Sequence, residues 1–296
     1  MKNAASDDLD LPWVGWALFL PAASFLAAFT YYPALATLYH SVFSTAKAGR
    51  PSRFVGLENY QTMIEDPIFW QALKNNAWFA LGTIPASIAL AVIMALLVNR
   101  AIPGRAFLRM SYFAPTVLAM VAVANIWLFI FAPQIGLLNQ FIAWLGVSPH
   151  NWLGQPGTVL ASVTVVAIWK EAGFFMIFYL AALQNMPANL AEAAAIEGAS
   201  RWYYFWKVTF PLLMPTTLFV LVNAVVNAFR MVDHIIVMTK GGPDNASMLL
   251  LYYIYEIGFK YWDTSYAAAM SMVLLLILGI VAVGQFVILD RRTHYR

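Results

Sequence analysis

EAAAIEGASRWYYFWKVTFPLLMP, residues 192–215, lies between two long apolar runs yet carries two glutamates, an arginine, a lysine and a glycine. Asn185-Met186-Pro187 precedes it, and proline suits a first helical position. The alanines and leucine that follow favour a helix through Glu197. Gly198 fits a C-terminal stop, and Ser200 is placed as the N-cap of a second short helix. Pro211 then ends that second helix. The expected shape is helix, turn, helix, with Trp202, Tyr203, Tyr204, Phe205 and Trp206 suited to a membrane–water boundary.

A membrane is demanded by the rest of the chain. Of 296 residues, 62% are hydrophobic and 10% charged, with a mean hydropathy of +0.70. Soluble domains devote roughly a quarter of their residues to Asp, Glu, Lys and Arg. A spanning helix needs about 20 mainly apolar residues. Six stretches meet that length: 13–35, 77–98, 110–132, 157–181, 212–238 and 266–289. Alternating barrel patterning is absent, so the fold class is an all-α membrane protein with six transmembrane helices. Pro21, Pro85 and Pro115 are tolerable where neighbouring helices satisfy the freed carbonyls. This gives an N-terminal tail at 1–12, a six-helix domain at 13–289 with a connecting loop at 185–211, and a C-terminal tail at 290–296.

With no cysteine in the chain, disulfides, thiolate metal sites and thiol catalysis are excluded. The net charge of +3 is spread along the sequence, which argues against nucleic acid as a partner. The opening MKNAASDDLDLPW is acidic where a secretory leader is basic, so 13–35 reads as a retained span. Lys and Arg set the orientation. Arg100, Arg105 and Arg109 occupy one short loop, Arg201 and Lys207 another, and Arg291, Arg292 and Arg296 the tail, whereas 133–156 has none. Both termini and the 185–211 loop are therefore expected on the cytoplasmic side. On the other side, ALATLYHSVF (34–43) reads as an interfacial helix and GGPDNAS (241–247) as a turn.

From the residues alone, the segment at 192 is equally a docking helix or an amphipathic connector resting on headgroups. Its spacing resembles the EAA motif of permease subunits of binding-protein-dependent ABC importers: Glu192-Ala193-Ala194, three residues, Gly198, nine residues, then Val208, Phe210 and Pro211. RFVGLENY (53–60), AIWKEAGFF (167–175), LAALQNMP (180–187) and VMTKGGP (237–243) resemble the carbohydrate-uptake branch. Within it, the likeness is to the first permease of pairs that import sugars, polyols or glycerol phosphate. The resemblance implies a type I importer permease in the bacterial inner membrane. It implies a second permease, two ABC ATPase subunits and an extracytoplasmic solute-binding protein as partners, besides membrane lipid. It also implies that Glu192, Ala193, Ala194 and Gly198 are the positions that couple to the ATPases. The chain has no GxxxxGK[ST] phosphate loop, so ATP and Mg belong to those partners and no cofactor or metal is expected here.

Ionisable groups at membrane depth face a cavity or a partner. Lys170 and Glu171 sit mid-way along 157–181, and Asn223, Asn227 and Arg230 share one face of 212–238. His234 extends that stripe, with Asp233 three residues past Arg230. In related permeases the solute lies against these two spans, which implies contacts within Ala167–Phe174 and Ala224–Met231. The strict equivalents on the later span are Ala224, Ala228 and Met231. Lys170, Glu171, Phe174, Asn223, Asn227 and Arg230 are therefore the candidate solute contacts. Two cations would also suit an anionic sugar derivative or a polyol phosphate. Each residue has a plainer reading: Lys170 bonding carbonyls of a neighbouring span, Arg230 and Asp233 as a local pair, the asparagines as interhelical glue.

The alternative function is a secondary transporter driven by an ion gradient, which would bind its solute in similar broken helices. A membrane enzyme is disfavoured, because His40, His150, His234 and His294 are scattered and no HExxH or GxSxG motif is present.

Overall fold

The computed structural model describes residues 12–46 and 49–290, and helix dominates them. Among the described residues, five helices are long and apolar enough to cross a membrane: Gly15–Ser41, Pro67–Asn99, Pro156–Gln184, Arg201–Met238 and Thr264–Gln285. Helices Arg105–Val117 and Met120–Ile130 make a sixth crossing if the pair counts as one. Residues 1–11 of the N-terminal tail, His294 and the tail arginines Arg291, Arg292 and Arg296 lie outside the described residues, and Pro12 already begins the first helix.

The six apolar stretches are all helical, but two of them are interrupted. The stretch at 110–132 is two helices meeting at 104°. Leu118 (ψ 138°) and Ala119 (ψ 142°) leave the helical region, three residues after Pro115, which has no N–H to donate. The stretch at 212–238 runs as helix to Arg230, breaks at Met231 (ψ 101°), and resumes over Asp233–Met238. Broken backbone at membrane depth survives only where protein or a cavity supplies partners. The second crossing, Pro67–Asn99, has 33 residues and is longer than expected. At 1.5 Å per residue it reaches about 50 Å, well beyond a hydrocarbon core of roughly 30 Å.

The described residues form two compact units, one of those up to residue 63 with 257–273, the other of 64–256 with 274–290. In the first, the RFVGLENY stretch works as a clasp. Gly56 turns the backbone at φ +60°, and Asn59 Nδ2 then donates to the carbonyls of Ser41 (2.7 Å) and Phe43 (2.9 Å). The Tyr60 hydroxyl reaches Ser41 Oγ at 2.8 Å, and Phe43 bridges Phe54. Thr45 Oγ1 donates to Asp263 and accepts from the Ser265 N–H, fixing this loop to the start of the last helix.

In the second unit, Pro67–Asn99 and Pro156–Gln184 pack through small residues. Ala91, Ala95 and Ala172 are fully buried, and around them close Met94, Val98, Phe175, Met176, Tyr179 and Leu213. Gly173 admits a close approach by the Arg105–Val117 helix: a Cβ there would lie 2.2 Å from the Tyr112 carbonyl oxygen. Asp66 caps Pro67–Asn99 by accepting from the N–H groups of Ile68 (2.8 Å) and Phe69 (3.3 Å), and its other oxygen accepts from the Tyr253 hydroxyl. Asn75 Nδ2 donates to the carbonyls of Asn245 and Met248, while Asn76 accepts from the Leu250 N–H and donates to the Ala228 carbonyl. Asn75 thereby pins the GGPDNAS turn, and Asn76 ties the start of the helix that follows it to Ala228. The 133–156 connection is organised by the buried Asn139. Its amide donates to the carbonyls of Pro133 and His150 and accepts from the His150 N–H and Trp152 Nε1.

Candidate functional site

Lys170 and Glu171 are consecutive on Pro156–Gln184, and each reaches a different neighbour. Lys170 Nζ donates to the carbonyls of Pro115 (3.2 Å) and Leu118 (2.6 Å), at the break of the third crossing. Glu171 is buried, and its Oε2 accepts from Asn227 Nδ2 at 2.8 Å. Both contacts adjoin a cavity of about 260 Å³ lined by Met120, Lys170, Glu171, Asn227, Arg230, Met231 and Asp233. Met120 begins the helix after the first break, and Met231 is the second break, so the cavity lies between two interruptions of regular helix. Pockets for drug-sized ligands are roughly 300–1,000 Å³. This space therefore suits a small polar solute or one ring of a larger one.

Of the six candidate solute contacts, the structure brings four to this cavity: Lys170, Glu171, Asn227 and Arg230. Asn223 lies one turn away and donates to the Phe219 carbonyl of its own helix at 2.8 Å. Phe174 packs edge-on against Phe178 at 5.1 Å, on the flank of the core. Among the strict motif equivalents, Met231 lines the cavity while Ala224 and Ala228 are buried against other side chains. His234 does not continue the stripe into the cavity. It is fully buried and stacks on Phe79 at 5.6 Å. No group of three or more metal-ligating side chains occurs among the described residues.

At the other end of the same helix lies the EAA segment. A helix spans Ala188–Ile196, preceded by Pro187 as N-cap rather than as first helical residue. Glu197 ends it, Gly198 takes φ +71°, and Ser200 Oγ accepts from the Tyr203 N–H at 3.2 Å. The expected turn and cap are thus in place. The expected stop at Pro211 is not. Arg201–Tyr204, a wide π turn at Phe205–Thr209 and Phe210–Arg230 follow one another without interruption. In the π turn the Phe210 N–H bonds the Phe205 carbonyl, and that shift of register lets the chain pass a residue with no N–H. The Ala188–Ile196 helix has no fully buried residue, and Ile196 is 88% exposed.

The sequence missed Met120, Asn139 and Asn76 as organising residues, and named Asp233 only as a local partner of Arg230 where the structure places it on the cavity wall. Met120 reaches the cavity only because of a bend that hydropathy does not record.

A family profile described as binding-protein-dependent transport system inner membrane component matches residues 87–295. The chain is 33% identical over 296 residues to the sn-glycerol-3-phosphate transport system permease protein UgpA of Agrobacterium fabrum, covering 100% of both. It is 31% identical over 280 residues to the sulfoquinovosyl glycerol transport system permease protein SmoG of the same organism, covering 90% of this chain and 91% of the relative. To the lactose transport system permease protein LacF of Rhizobium radiobacter it is 32% identical over 278 residues, covering 92% of each. Among solved structures, a chain of a bacterial ABC transporter involved in the import of the acidic polysaccharide alginate superimposes with a TM-score of 0.84. Its identity is 23%, over 95% of this chain and 96% of that one, a likeness of fold.

Proposed function

Because the chain belongs to the family of binding-protein-dependent transport system inner membrane components, we propose that it is the transmembrane permease of an ATP-driven importer for a sugar or sugar-like solute. It works beside a second permease, two ABC ATPase subunits and an extracytoplasmic binding protein. ATP and Mg are bound by the ATPases. The chain sits in the bacterial inner membrane with both termini and the 185–211 loop on the cytoplasmic side.

One observation carries this reading. The exposed Ala188–Ile196 helix, closed by Gly198 and Ser200, leads directly into the helix that ends at the cavity. Glu192, Ala193, Ala194 and Gly198 dock on an ATPase, and closure of the ATPases changes the access of the cavity from one side of the membrane to the other. Asn227 and Arg230 present an amide and a guanidinium to the solute, groups that match hydroxyl and anionic oxygens.

The test is reconstitution of the full complex in proteoliposomes, with uptake of lactose, glycerol and sn-glycerol 3-phosphate measured beside ATP hydrolysis. Glu192→Ala and Gly198→Pro are expected to abolish uptake while the ATPases still hydrolyse ATP. Proline holds φ near −65° and cannot adopt the turn that Gly198 makes. Normal uptake in Gly198→Pro would refute the coupling role. Uptake by this chain alone, without nucleotide, would instead favour a transporter driven by an ion gradient.

A further inference from the structure

We propose that Lys170 is a positioning residue that holds the break of the third crossing, leaving Arg230 as the cation the cavity offers to a solute. This rests on the solute path proposed above and deepens it. A helix leaves its last four carbonyls without intrahelical donors. In Arg105–Val117 that set includes the Pro115 carbonyl, and the next residue out is Leu118. In a bilayer no water replaces the missing donors, so an unmet carbonyl there is strongly disfavoured. An ammonium has three donors and no acceptor, and two of the three are directed at these oxygens, at 3.2 and 2.6 Å.

A second observation points the same way. Gly173, one turn beyond Lys170 on the same helix, meets the Tyr112 carbonyl and Thr116 Oγ1 so closely that no side chain fits between them. The two helices thus approach backbone to backbone at Tyr112, with the Thr116 side chain of the last turn beside the same glycine, which brings that turn within reach of the ammonium. The other charges divide cleanly. Glu171 is taken by Asn227, whereas Arg230 is exposed and has no hydrogen-bond or ion-pair partner among the described residues. Asp233 faces the same space. Of the two cations that line the cavity, Lys170 is committed to the backbone and Arg230 is left to meet a solute oxygen.

The chain has no native cysteine, so within it only introduced cysteines take a spin label. Met110→Cys and Ile126→Cys, both exposed, sit on opposite sides of the break. Their distance distribution is read by pulsed electron resonance with the full complex in nanodiscs, without solute or nucleotide. Lys170→Met is expected to broaden or shift the distribution, and Lys170→Arg, which keeps the donors, to restore it. Lys170→Gln, with a single amide donor pair, serves if the methionine variant does not assemble. Arg230→Gln is expected to leave the distribution unchanged. In proteoliposomes, Lys170→Gln is expected to lower the maximal rate of whichever of lactose or sn-glycerol 3-phosphate is carried, with its half-saturation unchanged, while Arg230→Gln raises half-saturation. An unchanged distribution in Lys170→Met, or in Lys170→Gln where that variant stands in, overturns the proposal. So does a raised half-saturation in Lys170→Gln with the distribution intact. The spin-label readout measures the bend and not uptake, so its failure is distinguishable from a failure of the importer assignment, which the transport assay reads.

Discussion

Replacing Gly173 with alanine adds one methyl group, and the structure says where it goes. The new Cβ would lie 2.2 Å from the Tyr112 carbonyl oxygen and 3.3 Å from Thr116 Oγ1. A relaxed C···O contact is about 3.3–3.6 Å, so the backbones must part by roughly 1 Å. Overpacking a well-filled core costs about 1–3 kcal/mol, and the upper end applies where the struck atom is backbone and has no rotamer to yield. A helix-favouring gain of about 1 kcal/mol for alanine over glycine offsets only part of this. The net expectation is a loss of roughly 2 kcal/mol, or a fall of several degrees in unfolding midpoint. Tryptophan fluorescence during heating of the purified chain in detergent measures it. Gly279→Ala is the control: no atom lies within 4 Å of its Cβ, so it should match the parent or exceed it slightly. A Gly173→Ala midpoint equal to that of Gly279→Ala would refute the reasoning about close approach.

Three further outcomes are expected. Asn139→Ala removes the hub of the 133–156 connection and strands the His150 N–H and Trp152 Nε1, so limited proteolysis should cut that connection at least several-fold faster. Ser200→Ala loses an N-cap worth about 1 kcal/mol. It should reduce coupled uptake with little effect on the amount of assembled complex. In a double-mutant cycle of Glu171→Ala and Asn227→Ala, unfolding free energies should show a coupling of roughly 0.5–3 kcal/mol, the range for residues in contact; additivity would mean that the bond contributes nothing.

Much of this fold was legible in the sequence because it rests on local rules. Six apolar stretches, the Gly198 turn and the Ser200 cap each follow from composition or from residues a few positions apart. What was illegible depends on distant partners. Hydropathy counts apolar residues along 110–132 and cannot register that Lys170, more than fifty positions on, stabilises a bend within it. Pro211 carries a strong local signal to stop a helix, but the π turn before it absorbs the missing donor. Asn75, Asn76 and Asn139 carry no local signal, since the carbonyls they serve lie many positions away. The candidate site was legible as a region, through ionisable residues placed in apolar stretches. Which of those side chains meet in one space was not, because a face of one helix does not say what stands opposite it.

The absence of a stop at Pro211 has a mechanical meaning. From Arg201 to Asn227 the chain is one continuous helical rod, and 26 rises of 1.5 Å make it about 39 Å long. Such a rod is a lever arm. Tilting it by about 10° around Ser200 would carry Asn227 sideways by roughly 7 Å at that length. A displacement far smaller than a side chain at the pivot thus becomes one wider than a hydroxyl group at the far end.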